Sequence, residues 1–549
     1  MSSSTIIYRN AAVFTGDASV ALRESFAVRA GRILAAGDLD AVRLAAGGGD
    51  VEEVDLGGAL VTPSVWEGHA HVLMLGEALS KVQLRDATSV AEVQGRIAAA
   101  RAADPDAPRI TGVSWRFDIF EQGQRPTATM LDAAVSDVPV FLDANDLHTM
   151  WVNSAALEAM GITRDTPDPV GGEIERDENG DATGFLLETA AMQYGWGYLD
   201  QVATDEDRDR WLAAAFEAYL ETGVTGASEM SFGHPDLEAY RRILDRDGRL
   251  PFPVNAHWIL TASGDLETDL AEVAEVARIR DEVAARYGDE WLRIVGVKFI
   301  LDGVIDACTA AMRAPYANGA MPGPIWEREF ALPVAAAADA AGLQLALHAI
   351  GDEASTIALD AVQECIRVNG PRADRRPRVE HLESVADDTI ARMAALGVTA
   401  SMQPVHCDPA VLDNWQAVLG DERALTGFPW HKFREAGVPL ALGTDAPTAP
   451  HVAPDNLFIA LTAKSALERS REPYQPRRVF TPAQALEGLT LGAAYATKRE
   501  HELGRIATGY RANVTVWTAN ALTDAPDELL GTTAALTLVD GEVAYRAAA

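Results

Sequence analysis

Apolar and polar positions change their rhythm twice along the 549-residue chain. Over residues 5–62 the pattern is short β-type runs broken by turn residues, TIIYRNAAVF, SFAVRAGRILAAGD and VEEVDLGGALVT, which predict a small sheet. Similar runs return near the other end as NVTVW (513–517) and ALTLVDGEVAYR (535–546), beyond a glycine-containing turn region at 504–509. Residues 1–62 and 497–549 are expected to pair as one composite β-sandwich. From residue 204 onward the pattern alternates between helical and strand periods, and Thr204 reads as a helix N-cap before an acidic first turn. DEDRDRWLAAAFEAYLETG is a helix and VTGASEM a strand. A helix to Gly248, the strand PFPVNAHWIL, a helix over 266–287 and the strand RIVGVKFIL follow. GLQLALHAI, RPRVEH, GVTASMQP and GVPLALGTD continue the series. With the run that ends in HAH near residue 70, eight strands are predicted, so the fold class is α/β, a (β/α)8 barrel over 63–75 and 204–496.

About 130 residues separate the first barrel strand from the first regular helix, far more than a βα connection needs. Residues 76–203 are therefore expected to form an inserted subdomain. It has one legible strand, VPVFLDAND, and a Pro/Gly-rich stretch, TPDPVGGEIERDENGD, that reads as a hairpin or surface loop. An insertion leaving the C-terminal end of the first strand is expected to wall or cover the barrel mouth.

Composition narrows the function classes. Hydrophobic residues make up 48% of the chain and charged ones 23%, with mean hydropathy -0.03, which suits a large core. The 81 acidic residues outweigh 46 basic ones, for a net charge of -35. A field of that sign repels phosphate backbones and anionic bilayers, so neither nucleic acid nor a membrane is an expected partner. The three cysteines, Cys308, Cys365 and Cys407, form no C-x-x-C pair. Together with an N-terminus lacking a signal-peptide pattern, they point to a cytoplasmic protein.

Candidate chemistry gathers at strand ends. His69 and His71 form an H-x-H pair whose period of two puts both imidazoles on one face. His348, His381 and Asp445 each close another apolar run, on strands five, six and eight. Five such residues converging on one barrel mouth make a site for a divalent metal ion, and zinc suits histidine and carboxylate donors. Lys298 lies inside the apolar run RIVGVKFIL of strand four, in a chain that otherwise prefers arginine. An amine there serves either as a Schiff-base nucleophile or, after reaction with carbon dioxide, as a carbamate; the neighbouring histidines favour the carbamate. Gln403 and His406, in SMQPVHCDP, follow strand seven and face the mouth as substrate contacts. Trp115, Phe117, Phe120 and Trp151 are candidates for an apolar pocket wall.

The motifs WEGHAHV, VKFILDG, HAIGDEA, VEHLES, ASMQPVH and GTDAP, in that order, resemble the amidohydrolase superfamily, specifically the amidohydrolase family 3 branch that includes N-substituted formamide deformylases. WVNSAALEAMGITRDTPDPVGGEI in the insertion and LGRIATGYRANVTVW near the C-terminus extend the resemblance over nearly the whole chain. It implies that His69, His71 and Asp445 hold one zinc or other divalent ion. His348 and His381 would hold a second, with carbamylated Lys298 as the bridge. It further implies that Asp445 moves protons, that His148 meets substrate, that the substrate is a small molecule, and that the chain forms a homo-oligomer. The implied reaction is hydrolysis of an amide-type C–N bond in an N-substituted formamide or N-acyl amine. Deamination, carbamate or lactone hydrolysis and decarboxylation use the same ligands, and a non-catalytic scaffold would have lost them. Ser64 and Glu67 stand where relatives carry Gly and Asp, Cys308 where many carry Arg, and Asn513 where Asp is common. Glu67 is expected to keep a carboxylate's supporting role beside the H-x-H pair.

Overall fold

The computed structural model describes residues 4–548 apart from 122–123, 146–148, 170–171, 413, 477–478 and the side chain of Asp118. The chain divides into two compact units. One comprises Met1–Val72 with Phe216–Ala549, the other Leu73–Ala215. The second unit is thus slightly longer at both ends than the insertion read from the sequence, and its downstream boundary falls inside the helix Asp205–Glu221. Thr204 caps that helix as expected, its hydroxyl accepting from the Asp207 amide at 3.1 Å.

The first unit is built on eight strands in one sheet: β1 (Val65–Ala70), β2 (Val224–Phe232), β3 (Val254–Ile259), β4 (Leu292–Ile300), β5 (Gln344–Ala349), β6 (Arg378–His381), β7 (Thr399–Met402) and β8 (Leu440–Leu442). They run in chain order around a nearly closed barrel, and every paired neighbour is parallel. Their apolar runs follow from that topology, because a parallel strand with helices outside and side chains filling the inside is buried on both faces. The seam closes just past β8, where the Asp445 amide donates to the His69 carbonyl at 2.8 Å and the His71 amide to the Ala446 carbonyl at 3.0 Å. Two glycines allow this approach. A Cβ on Gly68 would stand 2.4 Å from the Leu442 carbonyl oxygen, and one on Gly443 would stand 2.5 Å from Glu67 Oε1.

Helices return the chain between strands and stop where the sequence indicates. Leu266–Tyr287 begins at Asp265, whose side chain accepts from the Thr268 amide, and His234–Asp247 ends at Gly248 with φ 71.

The two ends of the chain meet in sheets. A four-stranded sheet has the order Arg32–Gly37, Ser25–Arg29, Thr5–Arg9, Val51–Asp55. A five-stranded one has the order Ala12–Val13, Leu60–Pro63, Val514–Trp517, Ala534–Val539, Glu542–Arg546. In the latter, Thr515 pairs with Thr62 across an antiparallel ladder that joins the N- and C-terminal segments. Tyr8, Phe26, Val61, Val514 and Leu538 share one core between the sheets. Asn513 ties this layer to the barrel, donating to Thr225 Oγ1 at 3.1 Å and accepting from the Asp540 amide at 3.0 Å. Ser64 hydrogen-bonds the same Thr225 hydroxyl.

The second unit carries more sheet than its sequence shows. Around the expected strand, Val140–Ala144, a six-stranded mixed sheet runs Gly172–Arg176, Ala182–Glu188, Thr149–Val152, Val140–Ala144, Ile110–Trp115, Val82–Gln83. Short buried runs such as TMWV have no periodicity that separates strand from helix, which hid these strands. The expected hairpin is present, Gly172–Arg176 pairing antiparallel with Ala182–Glu188 around a turn in which Gly180 has φ 83. Trp115, expected on a pocket wall, is a core residue. It is fully buried, its indole N–H donates to the Leu142 carbonyl at 2.9 Å, and its ring stands edge-on to Trp151 at 5.9 Å. Among the described residues no helix is long and apolar enough to cross a membrane. All three cysteines are free.

Candidate metal centre

The seam between β1 and β8 brings the H-x-H pair against Asp445. His69 Nε2 lies 3.4 Å and His71 Nε2 2.9 Å from Asp445 Oδ1. Asp445 Oδ2 faces the other way, 3.8 Å from His381 Nδ1 and 3.5 Å from His406 Nε2. Lys298 Nζ, from β4, is 3.3 Å from His69 Nε2. The backbone is strained where it presents these groups, since Asp445 (φ 62), His381 (φ 73) and Leu382 (φ 55) all adopt the left-handed region. That conformation costs roughly 1–2 kcal/mol for each side-chain-bearing residue, and such strain gathers where function dictates direction.

A buried polar framework orients the ring of His69. Glu380 Oε2 accepts from His69 Nδ1 at 2.8 Å, which leaves Nε2 unprotonated toward Asp445. Arg378 grips the same carboxylate, Nε to Oε1 at 2.5 Å and Nη2 to Oε2 at 3.0 Å, and donates to the Gly68 carbonyl and to Ser401 Oγ. Burial alone would raise the Glu380 carboxyl, but the Arg378 charge and the His69 hydrogen bond hold it well below the ordinary range. Glu67 takes the expected supporting place. It accepts from the Thr444 amide at 2.7 Å and the Thr444 hydroxyl at 2.9 Å, fixing the turn that carries Asp445. Its burial pushes the carboxyl up to about 7. Asp302 accepts three amides, Ala311, Ile350 and Gly351, and so locks the segment after β4 onto the one after β5.

Burial, helped by the Lys298 charge, pushes His69 down to about 4 and His348 to about 3, so both rings are neutral at pH 7, the form that binds metal. Burial would raise the Asp445 carboxyl, yet its interactions with His69 and His71 keep it well below the carboxylate range. Burial lowers Lys298 to about 8, against the pull of Glu380 and Asp445.

The donors fit a cation. Donors around a tetrahedral ion bound at about 2.0–2.1 Å lie roughly 3.4 Å apart, close to the separations of Asp445 Oδ1 from the two imidazoles. His71 Nδ1 and His381 Nδ1 are buried and meet no hydrogen-bond partner, a costly state for polar groups unless a cation or ligand takes them. His69, His381 and Asp445 form the compact donor set, each with a ligand atom within 4.8 Å of the others. His348 sits beside it, its ring 4.4 Å from that of His381, with Nε2 turned to the Gly303 carbonyl at 3.4 Å and Asp302 Oδ1 at 3.5 Å.

Of the expected substrate contacts, His406 is at the cluster, its Nδ1 on Glu383 Oε1 at 3.1 Å. Gln403 is buried with both amide atoms unpartnered. His148 lies outside the described residues. Arg378, Glu380 and Glu383 were not anticipated, nor was Glu229, whose Oε1 lies 3.8 Å from His71 Nδ1. For two of them a signal was present: Arg378 and Glu380 stand at alternate positions of one short strand, which puts both charges on the same face.

The amidohydrolase family model matches residues 52–545. N-substituted formamide deformylase of Arthrobacter pascens is 28% identical over 98% of this chain and 97% of its own length. The protein LONG AFTER FAR-RED 3 of Arabidopsis thaliana is 29% identical over 94% of this chain and 87% of its own. A solved structure described as an uncharacterized metal-dependent hydrolase from Pyrococcus furiosus is 27% identical and superposes with TM-score 0.73 over 94% of this chain and all of that one. Motif order, barrel and donor set lead to one conclusion: this chain belongs to the amidohydrolase family and is a metal-dependent hydrolase.

Proposed function

We propose that this chain hydrolyses an amide-type C–N bond of a small molecule, an N-substituted formamide or another N-acyl amine. The observation that carries the reading is Asp445, a carboxylate held anionic at the mouth of the barrel with both oxygens turned to imidazole nitrogens. The Arthrobacter relative supports the choice of a C–N bond. His69, His71 and Asp445 would hold the first cation and His348 and His381 a second, with zinc the ion best suited to these donors. A divalent cation supplies Lewis-acid chemistry here, acidifying water and polarising the scissile carbonyl.

The remaining work falls to the chain. Asp445 accepts the proton of the attacking water as the O–C bond forms, then delivers it to the leaving nitrogen as the C–N bond breaks. Glu380, fixed by Arg378, keeps His69 in the tautomer that presents Nε2. Glu67 and Thr444 hold the turn that aims Asp445. With Lys298 lowered to about 8, an appreciable share of the amine is neutral near that pH. The neutral amine forms an N–C bond to carbon dioxide and releases a proton, giving the carbamate ligand expected from the sequence. Gln403 and His406 contact the substrate. A cytoplasmic location and homo-oligomeric assembly belong to the same proposal.

The test pairs elemental analysis of protein purified without added metal with hydrolysis of a panel of N-formyl and N-acyl amines, before and after chelation. Near-stoichiometric metal and chelator-sensitive release of amine are expected. Asp445→Asn should lower kcat by about 100-fold or more. Turnover that survives complete chelation, or an Asp445→Asn enzyme as fast as wild type, would defeat the proposal.

A further inference from the structure

The two histidines assigned to the first cation are supported unequally. His69 has its partner in place, with Glu380 Oε2 accepting from Nδ1 at 2.8 Å. His71 reaches Asp445 Oδ1 through Nε2 at 2.9 Å, but its Nδ1 is buried and meets no hydrogen-bond partner. The carboxylate facing that nitrogen is Glu229, whose Oε1 stands 3.8 Å away, just beyond hydrogen-bond reach.

Glu229 lies near the end of β2, fully buried, and in register with Ala70, the residue between the two histidines. Backbone amides pin both its oxygens. Oε2 accepts from the Val72 amide at 2.5 Å and Oε1 from the Ser231 amide at 3.0 Å. The first of these bonds ties the carboxylate to the residue that follows His71. Burial raises the Glu229 carboxyl from its ordinary value, against the pull of His71 and of the Ser231 and Val72 amides, so a further N–H donor on Oε1 would stabilise the anion. The His71 side chain is 16% exposed and free to shift where the pinned carboxylate is not.

A cation at His71 Nε2 requires that nitrogen bare, which places the ring proton on Nδ1. There the N–H is buried, and leaving it without an acceptor costs about 1–3 kcal/mol. We propose that Glu229 is the positioning residue of His71: as the cation binds, the ring closes by about 1 Å onto Oε1, and the carboxylate accepts the Nδ1 hydrogen bond that fixes the tautomer. One arm of the site is preset by Glu380, and the other is set by Glu229 during loading. The inference rests on the assignment of the first cation to His69, His71 and Asp445 in the proposed function.

The experiment is a double-mutant cycle on chelator-stripped, full-length protein titrated with Co2+, read by visible absorption where binding is weak and by competition with a chelating dye where it is tight. Glu229→Gln turns an NH2 toward one of three N–H donors and is expected to weaken the first Co2+ by about 10–100-fold. In a His71→Ala background the same substitution is expected to change affinity by no more than about 2-fold, because the ring through which Glu229 acts is gone. Glu229→Asp keeps the charge but falls one methylene short of the ring. It is expected to lose as much affinity as Glu229→Gln, and it takes that variant's place in the cycle should the glutamine fail to fold. Unchanged affinity in the folded variant, or an equal loss with and without His71, would overturn the positioning role while leaving the hydrolase reading intact. No Co2+ in wild type would overturn both.

Discussion

Replacing Glu380 by glutamine tests the framework beneath the metal centre, because this one carboxylate holds two partners in place. It is fully buried, with Arg378 bonded to both its oxygens and His69 Nδ1 at 2.8 Å. The amide removes the charge and turns an NH2 toward either the guanidinium or the imidazole N–H, so one donor meets another. Arg378, itself wholly buried, loses its counter-charge, and breaking such a pair from one side costs about 3–5 kcal/mol. His69 also loses the acceptor that fixes its tautomer, a change that typically weakens metal binding by about 10–100-fold. In chelator-treated protein, amide exchange at residues 378–381, followed by mass spectrometry, should therefore accelerate by about 100-fold or more. Co2+ titration should show the weakened first site. A second variant, Arg378→Met/Glu380→Leu, separates the two effects. Removing both charges should restore most of the protection, since a buried pair replaced by apolar groups is often neutral, yet it should not restore cation affinity. Unchanged exchange and unchanged affinity in Glu380→Gln would refute the argument.

Asp339 offers a pH signature away from the metal centre. Burial would raise its carboxyl, but hydrogen bonds from Arg375 and Asn369 and the charges of Arg375 and Arg372 hold it below the ordinary value. Its contribution is present above about pH 4 and is lost as pH falls through the folded-state pKa. Asp339→Asn should therefore flatten the acid side of the stability profile in urea titrations, and an unchanged profile would count against it. Asn456 bonds both the Val405 amide and the Gly443 carbonyl at 2.9 Å, joining the segments that carry His406 and Asp445. Asn456→Ala should cost about 1–3 kcal/mol and lower kcat more than it raises KM, whereas a change in KM alone would place its effect elsewhere. With a net charge of -35, the folded chain repels itself, and screening shortens from about 30 Å at 0.01 M salt to about 3 Å at 1 M. The melting temperature should rise by several degrees over that range; a fall would show that attractive pairs dominate.

The eight parallel strands and the pairing of the two chain ends in one sheet were legible in the sequence, as were the strand-end positions of the six residues proposed to hold metal. Each is a local signal. An apolar run buried on two faces, a cap such as Thr204, a glycine stop such as Gly248 and a polar residue at a strand end are all written in consecutive positions. The sheet of the second unit was less legible because strands of two to seven residues carry too few positions to establish a period. Trp115 was misplaced because an aromatic ring in an inserted segment looks the same in sequence whether it lines a pocket or fills a core. The indole's hydrogen bond to the Leu142 carbonyl, 27 residues away, settles the matter in favour of the core. The same holds for Arg378, Glu380 and Glu383, whose roles rest on partners 23 to 311 residues distant or on the direction of a left-handed turn. Which oxygen of Asp445 faces which imidazole is likewise set where β1 meets β8. Hydrogen bonding and burial depend on distances in space, and chain neighbours determine those distances only within a helix turn or a strand.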